Sequence, residues 1–132
     1  MGQILKIPVI GWLMVLTHML DRGVLVLTLH GDVTISDRAT VSQKLAEAVR
    51  SYLPQAVVIE LRTPVVSAAA LSAVLRAHRL CGQAGVALSA VATVSSARRL
   101  LKAGTDGSGL PVFASRQDAI AAAASTSVAT PA

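Results

Sequence analysis

The chain has 132 residues, enough for one domain with a real core and little room for a second. Hydrophobic residues make up 53% and aromatic residues only 2%, so the core must be aliphatic and wholesale disorder is excluded. With Trp12, Tyr52 and Phe113 as the sole candidate platforms, the composition also argues against binding single-stranded nucleic acid by base stacking.

The net charge of +5 is unevenly placed. From Leu61 onward stand Arg62, Arg76, Arg79, Arg98, Arg99, Lys102 and Arg116, against only Asp106 and Asp118. Such asymmetry suggests an acidic partner or a nucleic acid, although a solvated surface with more Arg than Glu accounts for it more simply. Cys81 is alone, which rules out an intrachain disulfide and fits a cytoplasmic location. Its place near a helix end marks it as a small buried residue rather than a nucleophile.

At the start, Ile7 to Leu20 is strongly apolar but too short for a membrane span, which needs about 20 residues. Residues 1–12 read as an apolar extension. Leu13 to Leu20 then pairs as a hairpin with Val24 to His30 through Asp21-Arg22-Gly23. Thr34-Ile35-Ser36-Asp37 has capping-box spacing, and the following helix places Val41, Leu45, Ala48, Val49 and Tyr52 on one face before Pro54 ends it.

The next stretch, Val57 to Leu75, organises the chain. Val57, Val58 and Ile59 open a strand buried on both faces. Pro64 biases Thr63 away from helical geometry, and a helix begins near Ser67 with Leu71, Val74, Leu75 and His78 at helical spacing. A strand leading through a loop into a helix start exposes unpaired N–H groups and the positive end of a helix dipole, so the function is expected here. Beyond it come a turn between Gly82 and Gly85, a strand over Val86–Thr93, and a short helix capped by Ser95 or Ser96 with Gly104 as its C-cap. A last strand spans Leu110–Ala114. Ser115-Arg116-Gln117-Asp118 is a second capping box, opening an Ala-rich helix to about Ala124, with residues 125–132 as a disordered tail. Strands alternating with helices in so short a chain predict an α/β domain over 13–124. Its sheet is mixed, mostly parallel and of about five strands, with about four helices packed against it.

The apolar hairpin with VLVLTLHGDV, the amphipathic helix, the strand VVIEL, the Gly85-Val86-Ala87-Leu88 strand entry and VFAS followed by DAIAA together resemble the STAS domain of bacterial anti-sigma factor antagonists. The resemblance covers Leu13 to Ala124. It implies a protein-interaction module of transcription regulation that binds an anti-sigma factor or a related partner-switching kinase, and it permits a homodimer. The implied partner-binding residues are Ser67, Ala68, Ala69, Ala70 and Leu71 at the helix start, with Gly31, Asp32 and Thr34 in the adjacent loop. One motif departs. Antagonists carry Asp-Ser-Ser/Thr-Gly-Leu where this chain reads SAAAL, so the phosphoacceptor position falls on Ala68, which has no hydroxyl. Ser67 is the nearest substitute, although an N-cap role accounts for it more simply.

Two further classes are open to a chain of this kind. STAS-like chains also serve as accessory subunits or scaffolds of transport or stress-signalling complexes, which the apolar start would suit. A nucleic-acid-binding role would use Arg76, Arg79, Arg98, Arg99 and Lys102, without a recognised motif. Neither nucleic acid nor membrane is the expected partner. His18, His30 and His78 lack metal-ligand spacing and no catalytic constellation is readable, so no enzyme, metal or cofactor is expected. His78 reads as a hydrogen-bonded core or boundary residue.

Overall fold

A computed structural model describes residues 3–8, 15–31 and 33–129. The elements are β1 (Gln3–Pro8), β2 (Val15–Asp21), β3 (Val24–Leu29), α1 (Ile35–Tyr52), β4 (Ala56–Leu61), α2 (Ala68–Gln83), β5 (Ala87–Ala92), α3 (Ser95–Gly104), β6 (Val112–Phe113) and α4 (Arg116–Ala129). They build one sheet in the order β1-β2-β3-β4-β5-β6. The first two pairings are antiparallel and the remaining three parallel. This is the mixed, mostly parallel sheet with four helices that the alternation of elements predicted.

The strands expected from sequence are present, and the sheet carries one more. Gln3–Pro8, placed by the sequence in an apolar extension, forms β1 and pairs along its whole length with β2. Of the expected hairpin start, Leu13 and Met14 lie outside the described residues. The hairpin closes through Arg22 and Gly23, with φ of 53° and 79°. Both central residues of a tight hairpin turn take positive φ because that twist matches the flanking strands. At the other end α4 runs past Ala124 to Ala129, consistent with an Ala-rich segment free of Gly and Pro until Pro131. Residues 130–132 lie outside the described residues.

Alternation along the central strand divides the core in two. Val57, Ile59 and Leu61 face a large cluster with Leu25, Leu27, Val41, Leu45, Val74 and Leu101, beneath α1, α2 and α3. Ala56 and Val58 face a smaller cluster with Val24, Val26, Val91 and Ile120, beneath α4. The parallel order β3-β4-β5-β6 puts the strand C-termini, and therefore the starts of α1 to α4, along one rim of the sheet.

Local sequence explains how each helix meets that rim. The Thr34 N–H and hydroxyl both donate to Asp37 Oδ2, at 2.9 and 2.8 Å, which fixes the first turn of α1. At its far end Leu53 takes the left-handed conformation (φ 47°) before Pro54. In α4 the Asp118 N–H donates to Ser115 Oγ at 3.1 Å, as the second capping spacing predicted. The start of α3 differs from expectation. Val94 holds the N-cap position, and neither Ser95 nor Ser96 caps the helix. Gly104 also differs: it is the last helical residue and Thr105 follows as the C-cap. A Cβ there would stand 2.6 Å from both Leu71 methyl carbons, so any larger residue requires the Leu71 side chain to shift.

Candidate functional site

One side chain joins two loops of the rim directly. Ser67 is the N-cap of α2, and its Oγ accepts from the Ala70 N–H at 3.1 Å. The same hydroxyl donates to the Val33 carbonyl at 3.0 Å, tying the loop after β4 to the loop after β3. Val33 and Val66, both buried, anchor the two loops from below. A second tie lies one turn further in, where Arg38 of α1 donates to Ser72 Oγ of α2 at 3.1 Å. The two halves of the expected site are therefore joined.

Within this surface the individual residues stand differently. Thr34 and Ala68 are exposed, while Gly31, Ser67, Ala69 and Leu71 are half-buried. Ala70 is 5% exposed and faces the core, so its side chain offers little to a partner. Leu71 packs on the core and on Gly104. Asp32 lies outside the described residues. The Leu71 N–H bonds the Ser67 carbonyl, which leaves the N–H groups of Ala68 and Ala69 without a protein partner among the described residues.

Sequence reasoning missed two features of the rim. The first is a set of exposed aliphatic side chains, one at the C-terminal end of each of three neighbouring parallel strands. Ile35 follows β3 and is 74% exposed; Val65 follows β4 at 59%; Val94 follows β5 at 38%. Their signal was an aliphatic residue at or beside a helix start, where polar caps are the rule. The second is a buried carboxylate. Glu60 of β4 is 3% exposed and faces α4, where its Oε1 accepts from Arg116 Nε at 2.9 Å and Nη2 at 2.5 Å. Thr28 Oγ1 donates to the same oxygen at 3.2 Å, and Arg62 stands 3.9 Å from Oε2. A lone acid inside a doubly buried strand demands a cation, but 56 residues separate this one from its main partner.

The remaining candidate groups are structural. Burial pushes the Cys81 thiol up to about 11, which removes the thiolate at neutral pH. His18 is buried beside Tyr52, with 3.2 Å between Nε2 and the phenol oxygen, and burial lowers its pKa. His78 Nε2 donates to the Ser108 carbonyl at 3.1 Å, as expected of a boundary histidine. Among the described residues no three His, Cys, Asp or Glu side chains are grouped to hold a metal ion, and no helix is long and apolar enough to cross a membrane.

No family model matches this sequence, and no curated protein matches it. Solved structures do match in fold. An anti-sigma factor antagonist from Mycobacterium paratuberculosis superposes with a TM-score of 0.69 at 18% identity, covering 92% of this chain and 94% of that one. A Ser-to-Glu variant of RsbS from Moorella thermoacetica gives 0.67 at 12% identity, over 84% of this chain and 96% of that one. The NMR structure of a protein designated TM1081 gives 0.68 at 9% identity, over 80% and 86%. The chain thus has the fold of anti-sigma factor antagonists, the STAS fold that its sequence resembles.

Proposed function

We propose that this chain is an interaction module of the antagonist kind. It docks an anti-sigma factor or a related regulatory kinase in the cytoplasm through the rim formed by the loops after β3 and β4. Ser67, Ala68 and Ala69 form the centre of that surface, with Gly31 and Thr34 beside it and Leu71 supporting it from below; Asp32, outside the described residues, is assigned to it from the sequence alone. One observation carries the reading. The Ser67 hydroxyl spans the two loops, from the Ala70 N–H to the Val33 carbonyl, and so holds exposed Ile35 and Val65 on one preformed surface. A fixed surface binds without a large ordering cost.

The usual serine switch is absent from this reading. Ala68 cannot be phosphorylated, and the Ser67 hydroxyl is engaged both as donor and as acceptor. A phosphate on Ser67 would remove the proton given to Val33 and bring about −1.5 to −2 charge beside its carbonyl. Association is then controlled by the amounts of the two proteins or by modification of the partner.

Incubating the chain with purified anti-sigma-type kinases and ATP, followed by intact-mass and peptide mapping, tests this. The reading predicts a stable complex and an unmodified Ser67. Stoichiometric phosphate on Ser67 would show that the switch operates one residue earlier than the family motif places it.

A further inference from the structure

The proposed docking rim carries cations where helices least favour them. Helix N-termini are the positive ends of their dipoles, so a cation in the first turn is disfavoured. Yet Arg38 is the fourth residue of α1 and Arg98 the fourth of α3, with Arg99 next to it at the start of the second turn, while Arg62 precedes α2. Neither α2 nor α3 has an acidic residue in its first turn. In α1 the Asp37 carboxylate is buried and occupied by Thr34, and Asp32 of the preceding loop lies outside the described residues.

The internal acceptors do not cancel this charge. Arg98 Nη1 donates to the Ala92 carbonyl at 3.0 Å, and Arg38 donates to a hydroxyl; neutral acceptors aim a guanidinium without neutralising it. Glu60 is committed to Arg116, and its more distant partner Arg62 remains half-exposed. Arg99 is exposed and has no acidic partner among the described residues.

We infer that the surface this rim receives is an acidic protein face with apolar side chains set among its carboxylates. The inference rests on the docking role proposed above and names the chemistry of the partner's side. Arg62, Arg98 and Arg99 draw in the carboxylates, and Ile35, Val65 and Val94 take the apolar contacts. Charge steers the encounter and sets specificity, and desolvated aliphatic contacts hold the complex. A duplex nucleic acid would satisfy the arginines but leave three aliphatic side chains facing a phosphate backbone. No Phe, Tyr or Trp stands among these loops to stack on unpaired bases. Binding to an anionic membrane would need an amphipathic helix with an apolar face to insert into lipid, whereas the rim presents three separate aliphatic side chains.

The test is a titration of the isotope-labelled full chain, read by backbone amide shifts, with four probes. They are an amphipathic helical peptide with Glu on one face and Leu on the other, the same peptide with Lys for Glu, a DNA duplex, and phosphatidylserine vesicles. The acidic peptide is expected to move the amides of Thr34–Ile35, Val65–Ala69 and Val94–Arg99. Its affinity should fall about tenfold between about 50 and about 500 mM NaCl, and by a similar factor in the double variant Arg62→Gln, Arg99→Gln. Equal binding of the Lys peptide to those amides would overturn the acidic-face inference while leaving the docking rim in place. Shifts elsewhere, no shifts, or displacement of the acidic peptide by DNA or vesicles would overturn it too. Kinase capture by the wild-type chain, measured separately, decides whether the docking role fails with it.

Discussion

Glu60 and Arg116 form a buried two-pronged ion pair that ties the central strand to the first residue of α4. It is the polar link across a face otherwise closed by Val58, Ala119 and Ile120. Removing one member strands the other. Glu60→Ala should destabilise the domain by about 2–4 kcal/mol, reduced from the fully buried case because Arg116 is a third exposed. Denaturant unfolding measures this. Replacing both members with apolar residues of similar size should recover most of the loss, and a double variant as unstable as Glu60→Ala would refute the pairing account.

Ser67 has two jobs that substitution can separate. Ser67→Ala loses the cap and should cost about 1 kcal/mol. Ser67→Asp keeps an acceptor for the Ala70 N–H but has no proton for the Val33 carbonyl, so it should retain helix stability while loosening the loop after β3. Amide hydrogen exchange around Val33 and Thr34 should therefore rise in both variants. Unchanged exchange in Ser67→Asp would mean that the bridge contributes nothing to loop order.

A side chain at Gly104 would meet Leu71, while the backbone there imposes no glycine of its own. Gly104→Val would drive a branched side chain into the Leu71 methyls and should cost about 1–3 kcal/mol in midpoint shifts on thermal or urea unfolding. The companion Leu71→Ala should relieve it. If Gly104→Val alone leaves stability unchanged, α3 and α2 are less closely packed at this point than the structure places them.

His18 makes stability depend on acid. The folded chain holds the imidazole with a lowered pKa through burial, whereas the unfolded chain protonates it near 6.5. Below pH 6.5 the unfolded state binds more protons, so stability is full above that value and declines as pH falls toward the folded pKa. Melting temperatures between pH 7.5 and pH 5 should show this decline, and His18→Gln should flatten it. Equal slopes in the two proteins would assign the acid sensitivity to other groups.

Cys81, buried with its thiol raised to about 11, should resist iodoacetamide at pH 8 in the folded chain and react readily once urea unfolds it. Rapid labelling under native conditions would contradict its burial.

Most features governed by neighbours in the chain were legible in the sequence, the exceptions being the two ends of α3, which fall on Val94 and Thr105. The Thr34–Asp37 box, the stripe through Val41 and Leu45, the Ser67 start and the stop at Pro54 each follow from residues within a few positions of one another, and all reappear in the structure. Features governed by distant neighbours were not. Gln3–Pro8 becomes a strand because β2 offers an edge to pair with. Gly104 is small because Leu71 lies across from it, and Glu60 is tolerated because Arg116 returns to it from the far end of the chain. The rim itself was half visible. The helix start at Ser67 could be read, but Val65, Ile35 and Val94 become a common surface only when the parallel strands are placed side by side.

The most direct test of the account is calorimetric binding of a purified anti-sigma-type kinase by the wild-type chain and by Ala68→Asp. An acidic residue in the first turn of α2 favours the helix, so the variant stays folded and any loss reads the interface. The account predicts wild-type binding that is unchanged by prior incubation with ATP, and a drop of at least about tenfold in Ala68→Asp, equivalent to about 1.4 kcal/mol. Undiminished binding by Ala68→Asp would contradict the docking rim.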